Sequence, residues 1–346
     1  MELHFTRNNG EADNEIDRLI SLVGEVSHPE IVREMILAAL KAGQEGYDKA
    51  DLKLMNSTLK EMRFTAKVFG PYSKIRKVTV FGSARTLPDE PVYSMAIDLG
   101  RKIAAAGYMV ITGAGGGIMQ AVNEGAGPGN SFGVNIRLPF EQVANPVLLG
   151  CPRLITYKYF FNRKVAFLKE ADAIALFPGG FGTLDEAMET LTLLQTGKRT
   201  PLPLVLVDEP GGKYWSRWFR FIEDELLRQS YIVKSDFNLF ERVDTVEAAL
   251  RSINQFYRRY HSLRYVDGKL VLRLTSGITD ADIGQLNHLF QDILTLGGGI
   301  CASCALPEES EEKGIEELPR LIVDFNRKDF GRLRTLIDAI NSFPPV

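Results

Sequence analysis

Between Lys77 and Tyr260 the chain keeps switching between two rhythms. Short β-rich runs (VTVFGSA, YMVITGAGG, SFGVNIRLP, DAIALFPGG, PLPLVLVDE) alternate with helical ones (VYSMAIDLGRKIAAAG, IMQAVNEGA, ITYKYFFNRKVAFLKEA, TLDEAMETLTLLQTG). YWSRWFRFIEDELL and a last strand–helix pair ending in VDTVEAALRSINQFY complete the series. Such alternation requires a parallel sheet covered by helices on both faces. Runs such as IALF and LVLV are apolar throughout, as doubly covered strands must be. The expected fold is therefore α/β, a Rossmann-like doubly wound parallel sheet.

The flanks read differently. Residues 1–75 show apolar recurrence at three and four, which predicts a helical N-terminal segment. After the α/β region at 76–260, residues 261–346 predict a small α+β domain of ββαββα order. Its first two strands meet at an Asp267-Gly268 turn, and EESEEKGIEE is expected to be a solvated loop.

In an open parallel sheet, ligands bind beyond the carboxyl ends of the strands. Those ends here are Gly82-Ser83, Gly113 to Gly117, Arg137, and Pro178 to Gly182, so three of the four carry glycine. Bare backbone ahead of a helix start presents free N–H groups and the positive dipole end, an arrangement that suits phosphate. The dinucleotide fingerprint fails, because the last position counted from Gly113 is Ile118. The P-loop also fails, since the Gly-Lys pairs continue into Arg199, Tyr214 and Leu270.

Thr183 and Glu186 have capping-box spacing, so Glu186 reads equally as a cap and as a rigidly held catalytic carboxylate. In the preceding helix, spacing predicts Phe160, Phe161, Val165 and Leu168 on the buried side, leaving Arg163 on another face. Adjacent residues project about 100° apart, so Arg163 and Lys164 are not expected to aim at one point.

The residues PGGFGTLDE at 178–186, Arg163-Lys164 upstream, GSAR at 82–85 and GAGGGIMQAV at 113–122 resemble the Lonely Guy (LOG) family, whose members often bear the label "lysine decarboxylase". The resemblance covers roughly residues 76–260, and Phe181 stands where tyrosine is common. It implies a phosphoribohydrolase that cuts the N-glycosidic bond of a nucleoside 5′-monophosphate, without a cofactor. By motif, Glu186 becomes the catalytic carboxylate and Arg163 its partner cation, either neutralising the leaving base or bracing the carboxylate. Gly179, Gly180, Gly182 and Thr183 are then expected to hold the phosphate. Ser83, Gly115, Gly116, Met119 and Lys164 are expected beside the nucleotide. A homodimer is also implied. The decarboxylase label has little support, because the four histidines precede Phe5, Pro29, Ser262 and Leu289 rather than the lysine expected of a pyridoxal-phosphate enzyme. A rival reading of the same fold is a nucleotide or molybdenum-cofactor binder without turnover.

Composition narrows the partners. A net charge of −3 argues against nucleic acid, and no run approaches a membrane span. Three cysteines point to a reducing, cytoplasmic setting; the Cys301–Cys304 pair lacks the further ligands of a zinc site. The flanking segments are read as regulatory or as an enlarged oligomer interface.

Overall fold

The computed structural model describes residues 9–138, 143–309 and 314–344. These fall into two units, Met1–Phe64 and Thr65–Val346.

In the first unit, α1 (Glu11–Val23) and α2 (Pro29–Gln44) lead into α3 (Lys49–Phe69), which continues into the second unit. Arg33, almost fully buried on α2, pairs with Asp13 of α1. The Asn9 amide, more than the guanidinium, holds the Asp13 carboxyl below its ordinary range.

The second unit is built on β1 (Lys77–Phe81), α4 (Pro91–Ala105), β2 (Met109–Thr112), α5 (Ile118–Ala126), β3 (Ser131–Ile136) and β4 (Leu154–Tyr157). It continues through α6 (Phe160–Glu170), β5 (Ala173–Leu176), α7 (Phe181–Gln195), β6 (Leu204–Val207), α8 (Tyr214–Phe221), β7 (Glu241–Val243) and α9 (Val246–Phe256). The seven strands lie in the order β4-β3-β2-β1-β5-β6-β7, all parallel. Alternation across the pleat sends Val78 and Val80 to one core, with Ala96, Leu99, Ile103, Val122 and Ile253. Phe81 goes to the other, with Phe132, Phe167, Leu176, Leu194 and Trp215.

The chain builds outward from β1 to β4 and then returns to place β5 against β1. Their carboxyl ends are therefore the switch point at which a crevice opens.

Two expectations need correction. ITYKYFFNRKVAFLKEA is not one helix: Leu154–Tyr157 pairs with β3 as an edge strand, and α6 begins only at Phe160. Within α6 the buried residues are Asn162, Ala166, Phe167 and Leu168, whereas Phe160, Phe161 and Val165 are about half exposed.

Helices α4 and α5 touch backbone to backbone. A Cβ on Gly125 would lie 1.9 Å from the Ile97 carbonyl oxygen, and one on Gly100 would lie 2.2 Å from that of Val122. Gly125→Ala is expected to force the helices apart and cost about 3 kcal/mol in chemical denaturation, at the upper end of overpacking penalties.

The chain then forms β8 (Tyr260–Val266), β9 (Lys269–Leu274), α10 (Asp280–Leu289), β10 (Ile300–Ser303), β11 (Arg320–Val323) and α11 (Phe330–Ser342). This is a ββαββα unit with an antiparallel sheet ordered β10-β11-β9-β8. Asp267 and Gly268 turn the hairpin with φ of 46° and 84°. Residues 310–313 of the EESEEKGIEE loop lie outside the described residues. Helix α11 is tied back to the α/β part: Arg334 donates to the Leu202 carbonyl at 3.2 Å, and Asn341 bonds Arg259, Tyr260 and Phe256. Cys301 and Cys304 are exposed free thiols. No described helix is long and apolar enough to cross a membrane.

Candidate active site

A cavity of about 870 Å³ opens at the switch point, a size suited to a small-molecule ligand. Its walls come from the ends of β1 (Gly82, Ser83), β2 (Gly113) and β3 (Ile136), from Met119 of α5, from α6 (Phe160, Arg163, Phe167), and from the start of α7. The two central strand ends are stitched together, since Ser83 N–H donates to the Pro178 carbonyl and Phe177 N–H to the Phe81 carbonyl.

Pro178-Gly179-Gly180 turns the chain so that α7 starts at Phe181 and aims its first amides at this cavity. A Cβ on Gly179 would sit 2.1 Å from Thr183 Oγ1 and 3.0 Å from Ser83 N, so glycine is needed for close packing there. Gly180 and Gly182 face open space. Because Gly180 is the N-cap and no side chain caps it, the capping-box reading of Thr183 and Glu186 does not hold. Glu186 lies in the second turn.

Glu186 is 3% exposed yet lines the cavity. Its Oε1 is 3.6 Å from Lys164 Nζ, while the buried Oε2 has no hydrogen-bond partner. Burial pushes its carboxyl up to about 7, opposed by Lys164 and then Arg163, with Glu189 and Asp185 pushing further upward. Arg163 sits with its guanidinium 5.1 Å from the Phe160 ring centroid and 5.3 Å from that of Phe167. Its buried Nε is also without a partner. Burial disfavours the Arg163 charge, and Glu186 and Asp185 oppose that loss. The two side chains go to different places, Lys164 to the carboxylates of α7 and Arg163 to the cavity wall, while both charges favour the ionised form of Glu186.

Of the residues picked from sequence, Ser83, Met119, Arg163, Gly179, Gly180, Gly182, Thr183 and Glu186 line the cavity together. Gly115, Gly116 and Lys164 do not. Gly115 is buried behind the loop and accepts from Asn145 Nδ2 at 3.1 Å. Lys164 is engaged by three carboxylates. Sequence reading missed Tyr214, whose hydroxyl donates to the Gly179 carbonyl at 2.7 Å and fixes the loop. The signal was available: Gly211-Gly212 follows β6 at the same sheet edge, and Asp208 accepts from the Tyr214 amide at 3.0 Å.

The raised Glu186 carboxyl has a consequence for stability. The native state holds this proton more tightly than the unfolded chain, whose carboxyl titrates near 4.5. The stabilisation is complete below that value and is lost as pH rises through about 7. Glu186→Gln removes the effect. It is expected to be neutral at pH 4 and stabilising by about 3 kcal/mol at pH 8 in urea denaturation.

A doubly wound sheet, glycine loops at its switch point and an unpartnered buried carboxylate make this crevice the candidate active site of an α/β, Rossmann-like protein. Residues 116–253 match the family described as "Possible lysine decarboxylase". The cytokinin riboside 5′-monophosphate phosphoribohydrolase LOG3 of Arabidopsis thaliana is 25% identical over 189 residues, covering 53% of this chain and 84% of that protein. Its counterpart LOG of Oryza sativa subsp. japonica is 23% identical over 194 residues, 54% and 76% respectively. The molybdenum cofactor carrier protein of Chlamydomonas reinhardtii aligns at 20% identity and a TM-score of 0.37, over 52% of this chain and 97% of that one. The chain is thus similar to the LOG phosphoribohydrolases at low identity, and the family match lies within its α/β part.

Proposed function

We propose that this chain hydrolyses the N-glycosidic bond of nucleoside 5′-monophosphates, releasing the free base and ribose 5-phosphate. The observation that carries this reading is Glu186: a buried carboxylate whose Oε2 has no partner, on the wall of a nucleotide-sized cavity. The names of the plant relatives, phosphoribohydrolases of cytokinin riboside 5′-monophosphate, support it.

In this reading the 5′-phosphate rests on the amides of Gly180, Phe181 and Gly182 and on the Thr183 hydroxyl, at the positive end of α7. That grip positions the ribose over Glu186. As the C1–N bond lengthens, positive charge grows on the sugar and is met by the carboxylate. Glu186 then takes a proton from the water that adds to C1. Arg163 faces the departing base and offsets its developing negative charge. The departing base takes up one proton, which matches the proton Glu186 drew from water and releases, so the carboxylate is restored.

The test is a panel of nucleoside 5′-monophosphates beside their nucleosides, with free base and ribose 5-phosphate followed by chromatography. Release from at least one nucleotide, and little from its nucleoside, is expected. Tight binding without release from any of them would favour a carrier or sensor. The same panel identifies the base. The homodimer implied by the family resemblance, the division at 75 and 260, and a regulatory role for the ββαββα unit remain proposals. Sedimentation tests the first of these.

A further inference from the structure

Glu186 faces two adjacent cations that are engaged very differently. Lys164 Nζ lies 2.6 Å from Glu189 Oε2, 2.8 Å from Asp185 Oδ2 and 3.6 Å from Glu186 Oε1. It reaches from α6 along the flank of α7 and outside the cavity. Burial alone would pull its ammonium down, but the hydrogen bonds to Asp185 and Glu189 hold it above its ordinary value. Arg163 instead lines the cavity with its Nε unpartnered.

We propose that Lys164 is a positioning residue that braces Glu186 through Oε1, keeps Oε2 free of a partner and leaves Arg163 as the cation that meets substrate. This role differs from the nucleotide-binding one expected for Lys164 from sequence, and it divides the labour between the two cations. Three carboxylates spaced along one helix share a single ammonium, so the brace fixes α6 against α7 as well as the Glu186 rotamer. The charged and titratable groups facing Glu186 are Lys164 and Arg163 from α6 and Asp185 and Glu189 from its own helix. Arg85 and Tyr214 stand on the cavity's other walls.

The test compares full-length wild type with Lys164→Met, with Lys164→Arg, and with the double variant Asp185→Asn, Glu189→Gln. Two readouts are taken: the pH profile of kcat/KM on the best nucleotide, and the carboxyl titration of Glu186 by 13C NMR. The resonance is assigned by its loss in Glu186→Gln. Without Lys164 the protonated form of Glu186 gains ground, so in Lys164→Met both midpoints are expected to move up by about one pH unit or more. At pH 7 kcat/KM falls about tenfold and recovers by pH 9. Lys164→Arg keeps most of the wild-type profile. The double variant leaves the ammonium to Glu186 alone, and both midpoints move down.

A loss that is the same at every pH, or an unmoved Glu186 midpoint in Lys164→Met, would overturn the proposal. If Lys164→Met does not fold, the uncharged Lys164→Gln replaces it: its Glu186 midpoint must rise. The kinetic readout rests on the glycosidic reading, whereas the carboxyl titration does not. A wild type that turns over no nucleotide therefore defeats that reading, and the titration alone then decides whether Lys164 braces Glu186.

Discussion

Glu186→Gln is expected to lower kcat by about 10³-fold or more while leaving KM within a few-fold of wild type. Gln keeps the shape of the side chain but supplies neither the negative charge that meets the oxocarbenium-like sugar nor a proton acceptor for water. Electrostatic stabilisation and general-base action each contribute roughly 10²- to 10³-fold or more when positioned in a dry site. Glu186 meets both conditions, being 3% exposed and unpartnered at Oε2. KM is expected to hold because the proposed phosphate contacts sit one turn away, at Gly180 to Gly182 and the Thr183 hydroxyl. Steady-state kinetics at pH 8 measure both quantities. A variant with more than a tenth of wild-type kcat would remove Glu186 from the chemistry.

The second large effect is expected at Gly179. In Gly179→Ala the new methyl meets Thr183 Oγ1 at 2.1 Å and Thr183 Cβ at 2.8 Å, with Ser83 N at 3.0 Å behind. The hydroxyl can swing aside, but the Thr183 Cβ and the β1 loop must also shift. Tyr214 pins the same loop from the other side through the Gly179 carbonyl, which leaves little room for relaxation. Displacement of the proposed phosphate seat by a fraction of an ångström to an ångström would misplace the sugar over Glu186. A loss of about 10²-fold in kcat/KM is expected, with a rise in KM that Glu186→Gln does not show. Kinetics together with a thermal melt check this; an unchanged KM would mean that the loop does not seat the phosphate.

Much of the fold was legible because doubly covered strands announce themselves. VTVF, AIALF and LVLV have no polar face to show, and glycine at their ends marks the edge where a ligand is admitted. The edge strand Leu154–Tyr157 was not legible, because no turn residue separates it from the apolar helix that follows. Periodicity misjudged α6 for a different reason. Aromatic residues were assigned to the interior, yet Phe160, Phe161 and Val165 lie about half exposed while Asn162 and Ala166 are buried. Helix α7 begins two residues before Thr183, so a spacing that fits a capping box falls inside the helix and does other work. Lys164 could not be assigned from its neighbours in sequence, since its three carboxylate partners lie on the next helix. Glu186 itself was readable from motif, but its bare oxygen and raised carboxyl depend on burial that only tertiary packing creates.

The most direct measurement takes one nucleotide that binds both wild type and Glu186→Gln and quantifies free base and ribose 5-phosphate over time for each. Base and ribose 5-phosphate in equal amounts from wild type, with almost none from a variant that still binds, is the expected result. Nucleoside plus inorganic phosphate, release undiminished by the substitution, or binding without any release would contradict a glycosidic hydrolase centred on Glu186.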